Sequence, residues 1–525
     1  MSVAPAGRPA RSKTVLALLP WGLFAVVLLT LIRCDLNVNP ILDEQQWLQS
    51  GLATAHAKFL KSGLVSGPLY GLILGVLFGA VYVGGAVVGV FSGTLDFVSW
   101  FLAHQSVFYF IARGLTAGIA AGGLALLARA LAPRTGSLTA SLLVLGFAFT
   151  APAIDRIAYA TPHGAMIGFS AALLYVLIRA RETGSWIAWG AAGAIVAGAT
   201  SAITIGLGLG LLAAWGAFFP GPAGAGPSRG RRLGLVGAGF IAGLVLLGYP
   251  ILLHPDAYWQ SNIRYQISRQ ILTDEGGRGR LLRDGLLESL PLWLAGGVGA
   301  WKGRFREGRS LAVGALLTAA GYVGFLGAVT RSAQISYSLA ALPCLAYAAS
   351  GLVELLRPLD PPKRALWMAA LLVVPGLSAA GRVWQRVRDP HPRVTAAARV
   401  RATQAPGTTL LVDSWYGPRL LHPALLLAPY GKIGEAWGRE PGFLESLERR
   451  LPRHDAAWTI LPYPEHPAFP DRGALRRAGV DVVILSDLLR RRDPAWDLLV
   501  SDGTLQPIPP DEPGGIVFYR VLKSP

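Results

Sequence analysis

The sequence predicts a polytopic α-helical membrane protein of about eleven transmembrane helices with a C-terminal extracytoplasmic α/β domain. Three observations lead there. Of 525 residues, 52% are apolar and only 15% charged, against roughly 25% charged in a soluble domain. Apolar runs long enough to cross a hydrocarbon core of roughly 30 Å recur from the N-terminus to Gly381. Beyond Gly381 the pattern changes to short apolar strands punctuated by Pro and Gly.

The first run, Thr14 to Ile32, follows Arg8, Arg11 and Lys13. It lacks a small-x-small cleavage site, so it reads as a retained helix and not a removed signal peptide. Ten further runs lie near 107–131, 136–154, 164–180, 186–200, 203–219, 233–253, 286–301, 310–328, 335–356 and 365–381. The stretch Leu69 to Phe91 is also apolar, broken by six glycines. If it does not cross, the cytoplasmic segments collect 17 basic residues against four acidic ones, Glu182, Glu307, Glu354 and Asp360. If it crosses once, that asymmetry largely inverts, so the positive-inside rule favours a membrane-dipping helix or an even-numbered hairpin. The N-terminus is then cytoplasmic and everything after Gly381 extracytoplasmic, an arrangement suited to a bacterial inner membrane.

The expected organisation is a transmembrane domain over 1–381, including a long first external loop over 33–106, and a soluble domain over 382–525. In the soluble part, Thr409 to Val412, Val480 to Leu485 and Ile516 to Val521 read as strands, and Gly442 to Leu451 as helix. Basic residues outnumber acidic ones 28 to 14 up to Gly381 and 20 to 16 after it. The surplus therefore belongs to membrane orientation, and nucleic acid is not an expected partner. Two cysteines exclude a disulfide framework and a Cys-based zinc site.

Chemistry is expected beyond the first helix. Asp43 and Glu44 open an amphipathic segment in which Trp47, Leu48, Leu52, Ala55, Phe59 and Leu60 share a face and Lys58 and Lys61 follow. Such a helix lies along a membrane surface, and its positive end stabilises carboxylates in the first turn. The plain reading is a helix cap; the functional one is a carboxylate placed to take a proton from an acceptor hydroxyl. Arg264 and Arg269, in the loop His254 to Asp284, and Arg331 offer bidentate phosphate geometry. Each serves equally as an ordinary membrane-edge cation. Asp155, His163, Tyr258, Trp259 and Tyr337 complete the candidate residues.

The order and spacing of these segments resemble the GT-C superfamily of membrane glycosyltransferases, in the branch of protein O-mannosyltransferases and aminoarabinose transferases. Asp43-Glu44 stands at the family's acidic motif, and Gly67-Pro68-Leu69-Tyr70 is similar to the Pro-Pro-Leu-Tyr that follows it. Ala112-Arg113 through Leu127-Ala128-Arg129-Ala130-Leu131 is similar to the family's next helix, and Tyr337 through Pro343 resembles its late Tyr-to-Pro motif. The resemblance implies an inverting transfer from a polyprenyl-phosphate sugar to an acceptor on the outer face, the acceptor being a lipid, a glycan or a protein. Asp43 would be the base, Glu44 its helper, and Lys58, Lys61, Arg264, Arg269 and Arg331 the phosphate partners.

The chain departs from the family pattern twice. The second external loop reads Tyr159-Ala-Thr-Pro-His163 with no carboxylate, Asp155 lying just before it, and Ser336 stands where the late motif has Arg. No cofactor is implied, and use of a divalent cation is left open. A lipid or glycolipid transporter and a non-catalytic accessory protein on the same scaffold are the competing readings. Transporters show internal repeats and mid-span ionisable groups, whereas the strongest acidic cluster here lies in an external loop.

Overall fold

The computed structural model describes residues 10–34, 36, 42–55, 67–219, 226–260, 289–301, 309–329, 339–356, 358–359, 361–389, 391–414, 416–428, 442–463, 469–509 and 515–522. The chain divides into two compact units. One comprises Met1–Ile32, Lys61–Leu72 and Ala112–Gln385, the other Arg33–Leu60, Ile73–Ile111 and Arg386–Pro525.

The first unit is helical. It holds α1 (Ala10–Arg33), the first turn of α3 (Pro68–Val87), and α5 (Gln105–Thr135) from Ala112 onward, where the apolar runs predicted helix. After these come α6 (Ser137–Ala148), α7 (Ala151–Ile157), α8 (Pro162–Thr183), α9 (Trp186–Ala202), α10 (Leu209–Phe218) and α11 (Arg229–Leu247). A helix over 289–301 precedes α12 (Arg309–Val329), α13 (Ala341–Leu355) and α14 (Pro361–Arg388). Each of the eleven predicted runs thus carries helix. By length and composition α3, α5, α8 and α11 suffice to cross a membrane.

One expectation is corrected. The run 136–154 is not one straight helix: α6 and α7 meet at an 88° bend. Thr150 is extended there and Pro sits in the first turn of α7, a position where its missing N–H costs nothing but from which the preceding helix cannot continue. Of the two readings of 69–91, helix or hairpin, the chain takes the helix, α3 running unbroken for 20 residues. Its glycines do not reverse the chain, since a helix tolerates glycine at a cost of about 1 kcal/mol each.

Helix packing in this unit depends on small residues. A Cβ added at Gly193 of α9 would strike the carbonyl of Val236 on α11, and one at Gly239 that of Gly190. Without side chains in the way, the two backbones touch, the usual basis of helix association in lipid. The opposite side of α11 exposes Ile241 and Val245, as a lipid-facing surface does.

The second unit contains α2 (Leu42–Ala55), most of α3, α4 (Thr94–Ala103) and the start of α5, together with the C-terminal domain. The boundary expected at 381 falls inside α14, which continues to Arg388. The domain is built on a five-stranded sheet in the order β2-β1-β3-β5-β4. Its strands are β1 (Thr409–Asp413), β2 (Thr459–Tyr463), β3 (Val482–Ser486), β4 (Leu505–Pro507) and β5 (Ile516–Val521).

Strand β1 pairs in parallel with β2 and β3, and β5 runs antiparallel to β3 and β4. Both faces are covered. Leu410, Val412 and Ile484 pack with Val400 of α15 (Pro392–Thr403), while Leu411, Val483 and Leu485 pack with Trp496 on the other side. Burial on both faces is why the parallel strands read as continuous apolar runs and not as alternating ones. The predicted helix over 442–451 is α16 (Phe443–Arg450).

Candidate functional site

Asp43 and Glu44 occupy the second and third positions of α2, where unpaired backbone N–H groups carry partial positive charge. Glu44 is fully buried, and Gln45, Gln49 and Ser50 are buried as well. Trp47, Leu48 and Leu52 are buried on the apolar stripe. Most polar residues of the helix are therefore enclosed along with its apolar stripe, Gln46 remaining exposed. Tertiary packing causes this. At Gly51 the helix presses against α3, and a Cβ there would stand 2.7 Å from the Cβ of Leu74 and 2.8 Å from the ring of Phe78. Phe78 is itself locked edge-on against Phe108, with centroids 4.9 Å apart. A buried carboxylate is costly unless it is hydrogen-bonded or paired.

In the helical unit a second polar focus surrounds Arg113, which is fully buried on α5. Its Nη1 donates to the carbonyl of Ile32 at 3.1 Å, satisfying an acceptor at the end of α1. The guanidinium also lies 5.7 Å from the centroid of the Tyr159 ring. One position earlier, the Ala112 carbonyl accepts from the hydroxyl of buried Tyr70 at 2.9 Å, and that hydroxyl also meets Thr116 Oγ1 at 2.7 Å. Tyr70 belongs to the Gly67-Pro-Leu-Tyr70 segment, so these bonds tie that segment to α5.

Asp155 of α7 and His163 of α8 occupy the same unit. Asp155 accepts from Arg382 Nε at 2.7 Å, so its carboxylate is engaged by a cation of α14. His163 is buried at the start of α8, with Arg156 as its neighbouring cation. Tyr258 hydrogen-bonds Thr204 at 2.7 Å, and burial raises its phenol above the usual range against the opposing pull of that bond. Trp259 is 59% exposed. Lys58, Lys61, Arg264, Arg269, Arg331 and Tyr337 lie outside the described residues. Among the described residues, no three His, Cys, Asp or Glu side chains gather as they would around a metal ion.

Three cations outside the expected set connect elements. Arg113 was legible as an ionisable residue inside an apolar run, a signal of function in a membrane helix. Arg419 and Arg450 had no such signal. Arg419 Nη2 donates to Gln105 at the start of α5 at 2.8 Å, and Arg450 pairs with Asp96 of α4. The C-terminal domain is thereby bonded to the chain that follows α3. Asp413, at the carboxyl end of β1, accepts from the backbone N–H of Tyr416 at 2.9 Å and the hydroxyl of Ser486 at 2.5 Å. It closes the turn after β1 onto β3. Nearby Arg393 donates through Nε to the Gly417 carbonyl at 2.7 Å, and burial, then the neighbouring Arg419, brings its guanidinium down to about 10.

No protein-family model matches the chain, and no curated protein matches its sequence. Its fold is that of a solved membrane protein: ArnT from Cupriavidus metallidurans, bound to undecaprenyl phosphate, superposes with a TM-score of 0.51 at 14% identity, covering 97% of this chain and 98% of that one. The apo state of the same protein matches equally, at 0.51 and 14%. The Archaeoglobus fulgidus oligosaccharyltransferase in complex with Zn and sulfate reaches 0.46 at 13% identity over 94% of this chain and 72% of its own, a fainter likeness from which nothing is drawn. The chain thus shares the fold of ArnT from end to end.

Proposed function

We propose, from a chain that has the ArnT fold along almost its entire length, that this protein is an inverting glycosyltransferase using a polyprenyl-phosphate sugar. The acceptor is a hydroxyl on the extracytoplasmic side. One observation carries the reading: an acidic pair opens a mostly enclosed helix, α2, directly after the first membrane helix, in a chain folded like a protein whose structure holds undecaprenyl phosphate.

In the proposed step the acceptor oxygen attacks the anomeric carbon of the donor. The bond from that carbon to the phosphate oxygen breaks, and polyprenyl phosphate departs with the bonding pair. Asp43 receives the hydroxyl proton as general base. Glu44 holds the base in orientation from its buried position one residue on. Lys58, Lys61, Arg264, Arg269 and Arg331 are the proposed phosphate partners, because guanidinium and ammonium groups stabilise the charge that develops on the leaving group. His163, Tyr258, Trp259 and Tyr337 are proposed to line the substrate path, and Asp155 contributes through its bond to Arg382. The N-terminus is cytoplasmic and residues 382–525 extracytoplasmic in this reading, with a bacterial inner membrane as the setting.

Membranes from expressing cells, incubated with radiolabelled polyprenyl-phosphate sugars, test it. The wild type should label an extractable or protein-bound product, and Asp43→Asn should lose about 10²-fold or more of the rate, the usual scale for a general base. Equal labelling by Asp43→Asn at normal abundance would remove Asp43 from the chemistry. Absence of labelled product with every donor would favour the accessory-protein reading.

A further inference from the structure

The end of the helical unit where α5 and α8 finish and α9 and α11 begin has no part in the proposed transfer. The segments 134–136, 179–189 and 226–232 meeting there hold six arginines and a single acid, Glu182. Glu182 is shared, 3.3 Å from Arg134 and 3.4 Å from Arg179. It is therefore occupied by the first two cations. Arg181 is only 7% exposed, and the phenol of Tyr347 and the charges of Arg232 and Arg134 all reach it. Arg232 lies 5.8 Å from the ring centroid of Trp189, and Arg229 lies 4.0 Å from that of Phe218.

Orientation signals alone account for arginines at a helix end. They do not account for burial without acceptors. The Nε of Arg232 and the indole N–H of Trp189 are both enclosed with no hydrogen-bond partner among the described residues, and Trp189 is 1% exposed. Leaving a buried donor unmade costs about 1–3 kcal/mol, more for a charged one. Two such donors beside clustered guanidiniums describe a receptor for an oxyanion, and arginine forks fit phosphate geometry. The adjoining surface is apolar: Trp186 and Ile187, in the first turn of α9, are each 62% exposed. An anionic head joined to a hydrocarbon body meets both features at once.

We propose that this end of the bundle, built from Arg181, Arg232 and Trp189, binds the phosphate of an anionic phospholipid. Basic pockets between membrane helices recognise lipid phosphates in this way. The site is independent of the transferase reading, because none of its residues belongs to the proposed catalytic set.

The full chain, purified in dodecyl maltoside, is titrated with radiolabelled phosphatidylglycerol, with phosphatidylcholine in a parallel arm and inorganic phosphate as competitor. Phosphatidylglycerol should bind saturably and about tenfold more tightly than phosphatidylcholine, and excess inorganic phosphate should leave it bound. The double variant Arg181→Gln/Arg232→Gln should weaken it about tenfold or more, the scale of one lost charge-assisted hydrogen bond. Trp189→Phe keeps the ring beneath Arg232 and removes only the N–H; it should weaken binding several-fold even if the double variant is unstable. Arg179→Gln, at an exposed cation that Glu182 already engages, should change it by less than about twofold. Equal binding of the two lipids, or an unchanged affinity in both the double variant and Trp189→Phe, overturns the proposal. Displacement by inorganic phosphate overturns the lipid as occupant and leaves a site for small oxyanions.

Discussion

Replacing Gly51 by alanine sets two physical effects of opposite sign against each other. Helix propensity alone favours alanine by about 1 kcal/mol. The tertiary structure opposes it, since the new Cβ would lie 2.7 Å from Leu74 Cβ and 2.8 Å and 3.1 Å from ring atoms of Phe78. Carbon atoms pack comfortably at about 3.5–4.0 Å, so α2 and α3 must part by about 1 Å. Neither neighbour can yield cheaply: Leu74 and Phe78 are fully buried, and Phe78 packs against the contacting rings of Phe101 and Phe108.

Overpacking of this kind costs about 1–3 kcal/mol, which outweighs the propensity gain over most of that range. Because Asp43 and Glu44 ride on the same helix, a shift of about 1 Å should also lower turnover by about 10²-fold. The assays are thermal unfolding of the purified protein and glycosyl transfer at saturating donor. A Gly51→Ala protein with raised stability and full activity would refute the argument that close packing at residue 51 positions the acidic pair.

Further outcomes follow from single contacts. Tyr70→Phe removes a hydroxyl bonded to both Ala112 and Thr116; it should cost about 1–2 kcal/mol, read from the unfolding midpoint in denaturant. In the C-terminal domain Asp455 accepts from Arg401 Nε and Nη2 at 2.9 Å and 2.8 Å and from the Leu421 N–H at 2.6 Å. Asp455→Asn should therefore destabilise that domain by about 1–3 kcal/mol, seen as a loss of its unfolding midpoint.

The same carboxylate sets a pH dependence. Burial alone would raise its titration point, but the bonds from Arg401 and Leu421 outweigh it and hold Asp455 below the ordinary range. The unfolded chain then takes up its proton first as pH falls. The stabilisation is complete above about pH 4, the unfolded value, and is lost on acidification below it. Unfolding followed from pH 6 to 3 should show a loss that Asp455→Asn lacks.

The fold was legible where one dominant force acts on local sequence. Transfer of apolar surface out of water marks every membrane run, and the two-sided burial of β1 and β3 marks them as strands. Strand β2 was not legible: Thr459-Ile-Leu-Pro-Tyr463 contains a proline, which ordinarily argues against a strand, and its place at the sheet edge is what admits it. Likewise Asp155 reads as a free acid in a loop, and only the fold brings Arg382 to it from 227 residues away.

Composition and periodicity by themselves determined the membrane class, the helical runs, the change of texture near Gly381 and the position of the acidic pair behind the first helix. These follow from partitioning between water and hydrocarbon, which each segment does largely on its own. Tertiary structure alone decided that most of α2 is enclosed and that Arg113, Arg419 and Arg450 join distant elements. Such outcomes depend on which backbones can approach and which buried charge finds its counterpart, and those partners are separated by tens to hundreds of residues in the chain.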